Sequence, residues 1–134
     1  CWWPEVYCTG IGELRAVTLS DGTGIELNSG RAITVNFDDT RRLIRLMNGE
    51  IMVTTAPDPR LANGIGAARP LLIETAQGIL RAIGTRFTVR QFDVSQQGKS
   101  SVAVFEGAVE IQPITGRLRQ LEVGQQAAFT RDGG

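Results

Sequence analysis

The sequence predicts an all-β domain, built either as a two-layer β-sandwich or as a β-solenoid-like stack of short hairpins. Two observations carry this prediction. Apolar and polar residues alternate with a period of two through most of the chain, which is typical of strands with one buried face. Turn dipeptides recur with glycines at positions 22, 49, 78 and 107, and this near-regular spacing indicates stacked hairpins.

In order, the chain gives about eleven or twelve short strands separated by turns. The segment RRLIRLMNGE comes nearest to a helix, but its paired arginines and terminal Asn-Gly favour the arm of a hairpin. Residues 57–69, rich in Pro, Gly and Ala, are predicted to form a loop of unusual length. The predicted strands are ELRAVTL, IELN, RAITVNF, RRLIRLM, EIMVTTA, PLLIETA, ILRAI, TRFTVR, SVAVF, AVEIQPI, RLRQLE and QAAFT. The predicted turns are Asp21-Gly22, Asn48-Gly49, Gln77-Gly78, Glu106-Gly107 and Val123-Gly124.

The composition fits one globular domain and excludes several kinds of chemistry. The chain has 134 residues, 42% hydrophobic and 21% charged, with a net charge of zero. It is long enough to bury one core, and it lacks the basic excess of a nucleic-acid binder. It has no histidine, which removes Ser-His-Asp triads, histidine metal sites and the usual general base near neutral pH. No catalytic, metal or cofactor site is therefore predicted.

The first eight residues, CWWPEVYC, differ from the rest in composition. Cys1 and Cys8 are the only cysteines. A disulfide between them would close a short loop, worth about 2–3 kcal/mol, and two free thiols are the alternative. The clustered aromatic residues Trp2, Trp3 and Tyr7 either close one end of the core or form an exposed patch for a protein or a glycan.

The stretch RAIGTRFTVR, residues 81–90, places a glycine, a threonine and an arginine inside an apparent strand. One interpretation makes Arg86 a ligand or partner contact. The other interpretation is structural. Gly84 forms a bulge or permits a close approach of another backbone, and Thr85 forms a hydrogen bond with the backbone exposed there. Phe87 anchors the core, and Arg86 forms an ion pair on the opposite face. The structural interpretation is favoured, with Ile83 and Phe87 both expected to reach the core.

Other polar clusters are interpreted as turns. The acidic pair Asp38-Asp39 precedes Arg41-Arg42, and a solvated turn is favoured over a pair of catalytic carboxylates. None of the glycine turns precedes a predicted helix whose N-terminus could hold an anion, so none is expected to bind phosphate.

Several segments together resemble the FecR domain. They are VTLSDGTGIELNSG, GEIMV, GTRFTVR and VFEGAVEI, in this order and spacing, and the resemblance covers about residues 10–130. The segment LANGIGAA, residues 61–68, looks like an insertion before Arg69-Pro70. The predicted divisions are therefore an aromatic extension at 1–9, disulfide-bonded or foreign to the natural domain, a FecR domain at 10–130 and a frayed tail at 131–134.

The resemblance implies a signalling role without catalysis. FecR-like proteins are transmembrane anti-sigma regulators of the inner membrane, and their FecR domain lies in the periplasm. The implied partners are the signalling domain of a TonB-dependent siderophore transporter and, through a cytoplasmic region, an extracytoplasmic-function sigma factor. No apolar run approaches the ~18–20 residues of a membrane span, so an anchor is expected outside these residues. The alternative is a cell-wall or carbohydrate-binding module that uses Trp2 and Trp3.

Overall fold

The structure, a computed structural model, describes residues 6–8, 15–19, 21–27, 32–38, 41–56, 70–91 and 98–132. Every regular element in these residues is a strand, which confirms the all-β prediction. The strands are β1 Val6–Cys8, β2 Arg15–Thr18, β3 Gly24–Leu27, β4 Ala32–Phe37, β5 Arg42–Thr54, β6 Leu71–Thr75, β7 Gly78–Gln91, β8 Ser100–Pro113, β9 Arg119–Glu122 and β10 Gln126–Phe129.

All ten strands belong to one mixed sheet that curls around a single core. The strands β5, β7 and β8 have 13, 14 and 14 residues, and each pairs with partly different neighbours along its first and second parts. These pairings divide the sheet into two regions, called here its first and second halves. In the first half the order is β1-β4-β5-β6-β7-β8-β9, with β5 and β6 parallel. In the second half it is β2-β3-β5-β7-β8-β10, all antiparallel. The predicted short hairpins are thus partly replaced by long, bent strands.

Two predicted turns are wrong. Asn48-Gly49 lies inside β5 and Glu106-Gly107 lies inside β8. Both glycines have positive φ, 87° and 74°, the conformation that the turn prediction required. Here that conformation does not reverse the chain but bends a strand that continues. The pairing with a neighbouring strand shifts register beside each glycine, as at a β-bulge.

The other predicted turns are present. Gly22 and Gly124 have φ of 91° and 83° in the β2–β3 and β9–β10 connections. The turn predicted at Gln77-Gly78 is centred on Ala76 and Gln77, and Gly78 begins β7. Gly78 is needed for a close approach, since a Cβ there would lie 2.4 Å from the carbonyl oxygen of Gln112 on β8. The predicted loop at 57–69 lies outside the described residues.

The core forms from the inward-facing side chains of both halves. Alternation places every second residue of each strand inside, as in the buried, half-buried, buried pattern of β6. The fully or nearly fully buried hydrophobic residues include Ile25, Leu27, Ile33, Ile44, Ile51, Val53, Leu71, Ile73, Leu80, Phe87, Val89, Val109, Ile111 and Phe129.

The predicted N-terminal extension contributes a strand. Val6–Cys8 pairs antiparallel with β4, with Tyr7 opposite Ile33. Residues 1–5, with Cys1, Trp2 and Trp3, lie outside the described residues. The division at residues 9 and 130, and the Cys1–Cys8 disulfide, stay predictions.

Candidate functional site at the bend of β7 and β8

Gly84 lies where β7 bends. Its φ is +53°, a conformation that residues other than glycine, asparagine and aspartate rarely adopt. A Cβ added there would meet no atom within 4 Å. The glycine is therefore required by the backbone conformation and not by a close approach.

Thr85 links β7 to β8 and to Thr55, the residue that follows β5. It is buried, and its Oγ1 donates a hydrogen bond to the carbonyl of Ala108 on β8 at 2.5 Å. Its backbone N–H donates to Oγ1 of Thr55 at 2.7 Å, and its carbonyl accepts from the N–H of Thr55 at 2.9 Å. The ladder between β7 and β8 is irregular here, so these bonds satisfy backbone groups that lose their regular ladder partners at the bend.

The two residues after Thr85 point in opposite directions. Phe87 is completely buried, and Arg86 is exposed and stands opposite Glu106 in register. The ion pairs recorded among the described residues involve Arg42 and Arg45, so the expected ion pair of Arg86 is not among them. The side chain of Ile83 lies outside the described ones. We keep the structural role of Gly84, Thr85 and Phe87 as a proposal.

Substitution of Gly84 tests this proposal. Gly84→Val is expected to lower the free energy of unfolding by about 1–3 kcal/mol, because a β-branched residue is strained at positive φ. Gly84→Asn should cost less, since asparagine tolerates this region. Arg86→Ala should stay within about 0.5 kcal/mol. Denaturant unfolding curves measure all three, and a well-folded Arg86→Ala domain that no longer signals would show that the structural interpretation is wrong.

A buried ion pair lies at the start of β5, and it was not predicted from the sequence. Arg42 and Asp21 are both buried, and their side chains are 2.5 Å apart. Asp21 also accepts hydrogen bonds from the N–H and hydroxyl of Thr23 at 2.9 and 2.7 Å. The same guanidinium nitrogen of Arg42 donates to the carbonyl of Ala56 at 3.1 Å, and its backbone N–H donates to the carbonyl of Pro70 at 2.8 Å. Arg42 thus forms hydrogen bonds with the residues on both sides of the segment 57–69, Ala56 and Pro70.

One sequence signal could have found this pair. Arg42 has the same parity in β5 as Ile44 and Leu46, which are both buried. A buried arginine needs a carboxylate partner. Asp38, predicted to lie in a solvated turn, is exposed and accepts a hydrogen bond from the N–H of Arg41 at 2.9 Å, while Asp39 lies outside the described residues.

A buried polar cluster joins the two halves where β7 begins and ends. The hydroxyl of Ser100 lies 2.8 Å from Oγ1 of Thr75 and 2.7 Å from Oε1 of Gln77. Oε1 of Gln91 accepts a hydrogen bond from the N–H of Ala76 at 2.9 Å. All four side chains are buried, so the cluster ties β6, β7 and β8 together.

The outer surface of the second half carries a shallow depression of about 460 Å³. Glu50 and Arg90 stand opposite each other in register within it. Small side chains, among them Ser101 and Ala103, also line it. Within the described residues, no three His, Cys, Asp or Glu side chains lie close enough together to hold a metal ion. The same residues contain no helix with the length and hydropathy of a membrane span.

Comparison with known proteins places the chain in a family. The model of the FecR family, described as FecR protein, matches residues 5–110. This chain is a member of the FecR family. The match contains β1–β7 and most of β8, including the bend at Gly84.

Solved structures share the fold of this FecR domain. Two crystal structures of a candidate anti-sigma factor from Parabacteroides distasonis ATCC 8503, at 2.50 and 1.65 Å resolution, superpose with TM-scores of 0.78 and 0.79. Both are 23% identical in sequence, and the alignments cover 96% of this chain. They cover 56% and 57% of the solved chains, so this chain spans little more than half of their length. No curated protein matches this sequence.

Proposed function

We propose that this chain is the periplasmic signalling domain of a FecR-like anti-sigma regulator anchored in the inner membrane. It relays a signal from the signalling domain of a TonB-dependent siderophore transporter to an extracytoplasmic-function sigma factor. It acts by binding proteins and not by catalysis. The contact with the sigma factor belongs to a cytoplasmic region outside these residues.

The match of the family model over residues 5–110 carries this proposal. The shared fold with larger proteins described as candidate anti-sigma factors supports it. The architecture also suits a domain that is contacted from outside, because β1, β2, β9 and β10 each pair with one neighbour among the described strands and leave an edge for a partner. Binding at such an edge would change the exposure of a connected segment and so release the sigma factor.

A pull-down experiment tests the proposal. The folded domain is immobilised and offered purified signalling domains of TonB-dependent transporters encoded near its gene, with peptidoglycan as the competing ligand. We expect saturable binding to one signalling domain and none to peptidoglycan. Binding to peptidoglycan alone, lost in Trp2→Ala and Trp3→Ala variants, would instead assign the chain to the cell-wall-binding alternative.

A further inference from the structure

The two ends of β8 lie beside the same residue, Gln77 in the β6–β7 turn. At the start of β8, the hydroxyl of Ser100 lies 2.7 Å from Oε1 of Gln77. Directly after its end, the backbone N–H of Ile114 donates a hydrogen bond to the carbonyl of Gln77 at 3.0 Å. A straight strand of this length would span about 45 Å. The ends meet because β8 folds over, with the bend at Gly107 between them.

The chain after β10 makes a second link between the two ends of β8. β10 ends at Phe129, which pairs with the first residue of β8. Residues 130–132, called here the strap, then reach the β8–β9 connection. There the N–H of Thr115 donates to the carbonyl of Arg131 at 2.8 Å, and its hydroxyl donates to Oδ1 of Asp132 at 2.7 Å. The strap therefore connects the start of β8 to the residues that follow its end.

The fit between the strap and this connection is close. A Cβ on Gly116 would lie 2.6 Å from the carbonyl oxygen of Asp132 and 3.3 Å from Cβ of Pro113. Side chains do not approach a backbone oxygen to 2.6 Å, so any other residue at this position would push the strap away. Gly116 thus admits the backbone of the strap.

The two links differ in burial. Gln77 and Ser100 are 2% and 0% exposed, whereas Thr115, Arg131 and Asp132 are all exposed. Water competes for hydrogen bonds between exposed groups, so these bonds hold a contact weakly, and a buried network is harder to break. The strap link is therefore the one that opens first. Local openings of this kind need less free energy than unfolding of the whole domain.

We propose that the strap is a releasable closure of the folded-over strand β8. It opens while the buried link at Gln77 and the bend at Gly107 keep the rest of the sheet together. Phe129, completely buried directly before the strap, is the first core residue that its release can uncover. A partner that bound only the released form would shift the domain towards it, which makes the strap a point of control. The opening occurs in the chain alone, so this proposal is independent of the transporter partner proposed above.

Native-state hydrogen exchange of the 134-residue chain, followed for each amide by NMR at rising urea concentration, tests the strap. The amide of Thr115 reports the strap, and that of Ile114 reports the link to Gln77. The amide of Thr55, bonded to the carbonyl of Thr85, reports the end where β7 bends. We expect a protection factor for Thr115 at least about tenfold below those of Ile114 and Thr55. It should depend little on urea, because a local opening exposes little surface.

Two variants and a matched control assign this opening to the strap. Asp132→Ala removes the acceptor of the Thr115 hydroxyl, and Gly116→Ala places a Cβ against the strap. Each should lower the protection factor of Thr115 by about three- to tenfold and leave that of Thr55 within about twofold. Gly124→Ala introduces similar strain at positive φ, +83°, but its Cβ would meet no atom within 4 Å. It should leave Thr115 unchanged.

Several results would overturn the proposal. If Thr115 and Thr55 share one protection factor and one urea dependence, the strap opens only when the whole domain unfolds. If Asp132→Ala and Gly116→Ala leave Thr115 unchanged, another contact holds this end. If they accelerate all amides equally, the strap is not a separate unit. If Gly124→Ala affects Thr115 as much as Gly116→Ala does, backbone strain and not displacement of the strap is the cause.

Discussion

Arg42→Ala is expected to lower the free energy of unfolding by about 3–5 kcal/mol, which is a large part of the stability of a domain this size. The substitution leaves the carboxylate of Asp21 buried without its cation, with only the hydrogen bonds from Thr23. It also removes the guanidinium from the carbonyl of Ala56. Urea unfolding measures the change as a lower midpoint with an unchanged slope.

The same strand provides a matched control. Arg45 pairs with Glu74 at 3.0 Å, but 62% and 29% of the two side chains is exposed. An exposed pair contributes about 0–1 kcal/mol. Arg45→Ala should therefore change stability little, although it removes the same charge three residues away. Equal losses for Arg42→Ala and Arg45→Ala would contradict the importance assigned to burial.

A double substitution separates the cost of an unpaired charge from the value of the pair. Arg42→Met combined with Asp21→Asn removes both charges and should recover much of the loss seen in Arg42→Ala. If the double variant is as unstable as Arg42→Ala, the hydrogen bonds to Ala56 and Thr23 hold these segments together more than the ion pair does.

Phe87→Ala is expected to lower the free energy of unfolding by about 3–5 kcal/mol through loss of buried surface and the cavity left behind. Phe87 is completely buried and lies opposite Val53 and Val104 in the ladders of β7. These neighbours belong to long strands that cross both halves, so they have little freedom to close the cavity. Denaturant unfolding gives the value directly.

Phe105→Ala is the control for Phe87→Ala. The same atoms are removed, but 49% of Phe105 is exposed, so the expected change is within about 0.5–1 kcal/mol. The measurement is made at low concentration to exclude association. A loss for Phe105→Ala as large as that for Phe87→Ala would show that the β8 bend, and not burial, determines the cost.

Much of the strand pattern could be predicted from the sequence because alternation reports burial directly. Ile44, Leu46, Ile51 and Val53 lie inside as the pattern requires. Partner choice could not be predicted from it. The halves of β5 pair with different strands, and β6 lies beside the first half of β5 in parallel. Nothing local in a strand of this composition specifies which neighbour lies beside it.

By itself, the sequence determined the all-β class, the FecR family and the special backbone positions of Gly22, Gly49, Gly84, Gly107 and Gly124, while Gly98 and Gly116 also have positive φ and were not predicted. Only the tertiary structure decided what those glycines do. A positive φ at Gly22 or Gly124 reverses the chain, while at Gly49, Gly84 or Gly107 it bends a strand that continues. The reason is that a local conformation sets only the direction of the next few residues. Whether the strand goes on depends on the ladder partners beside it. The buried pair Arg42–Asp21 has the same origin, because residues 21 positions apart meet only when the sheet curls.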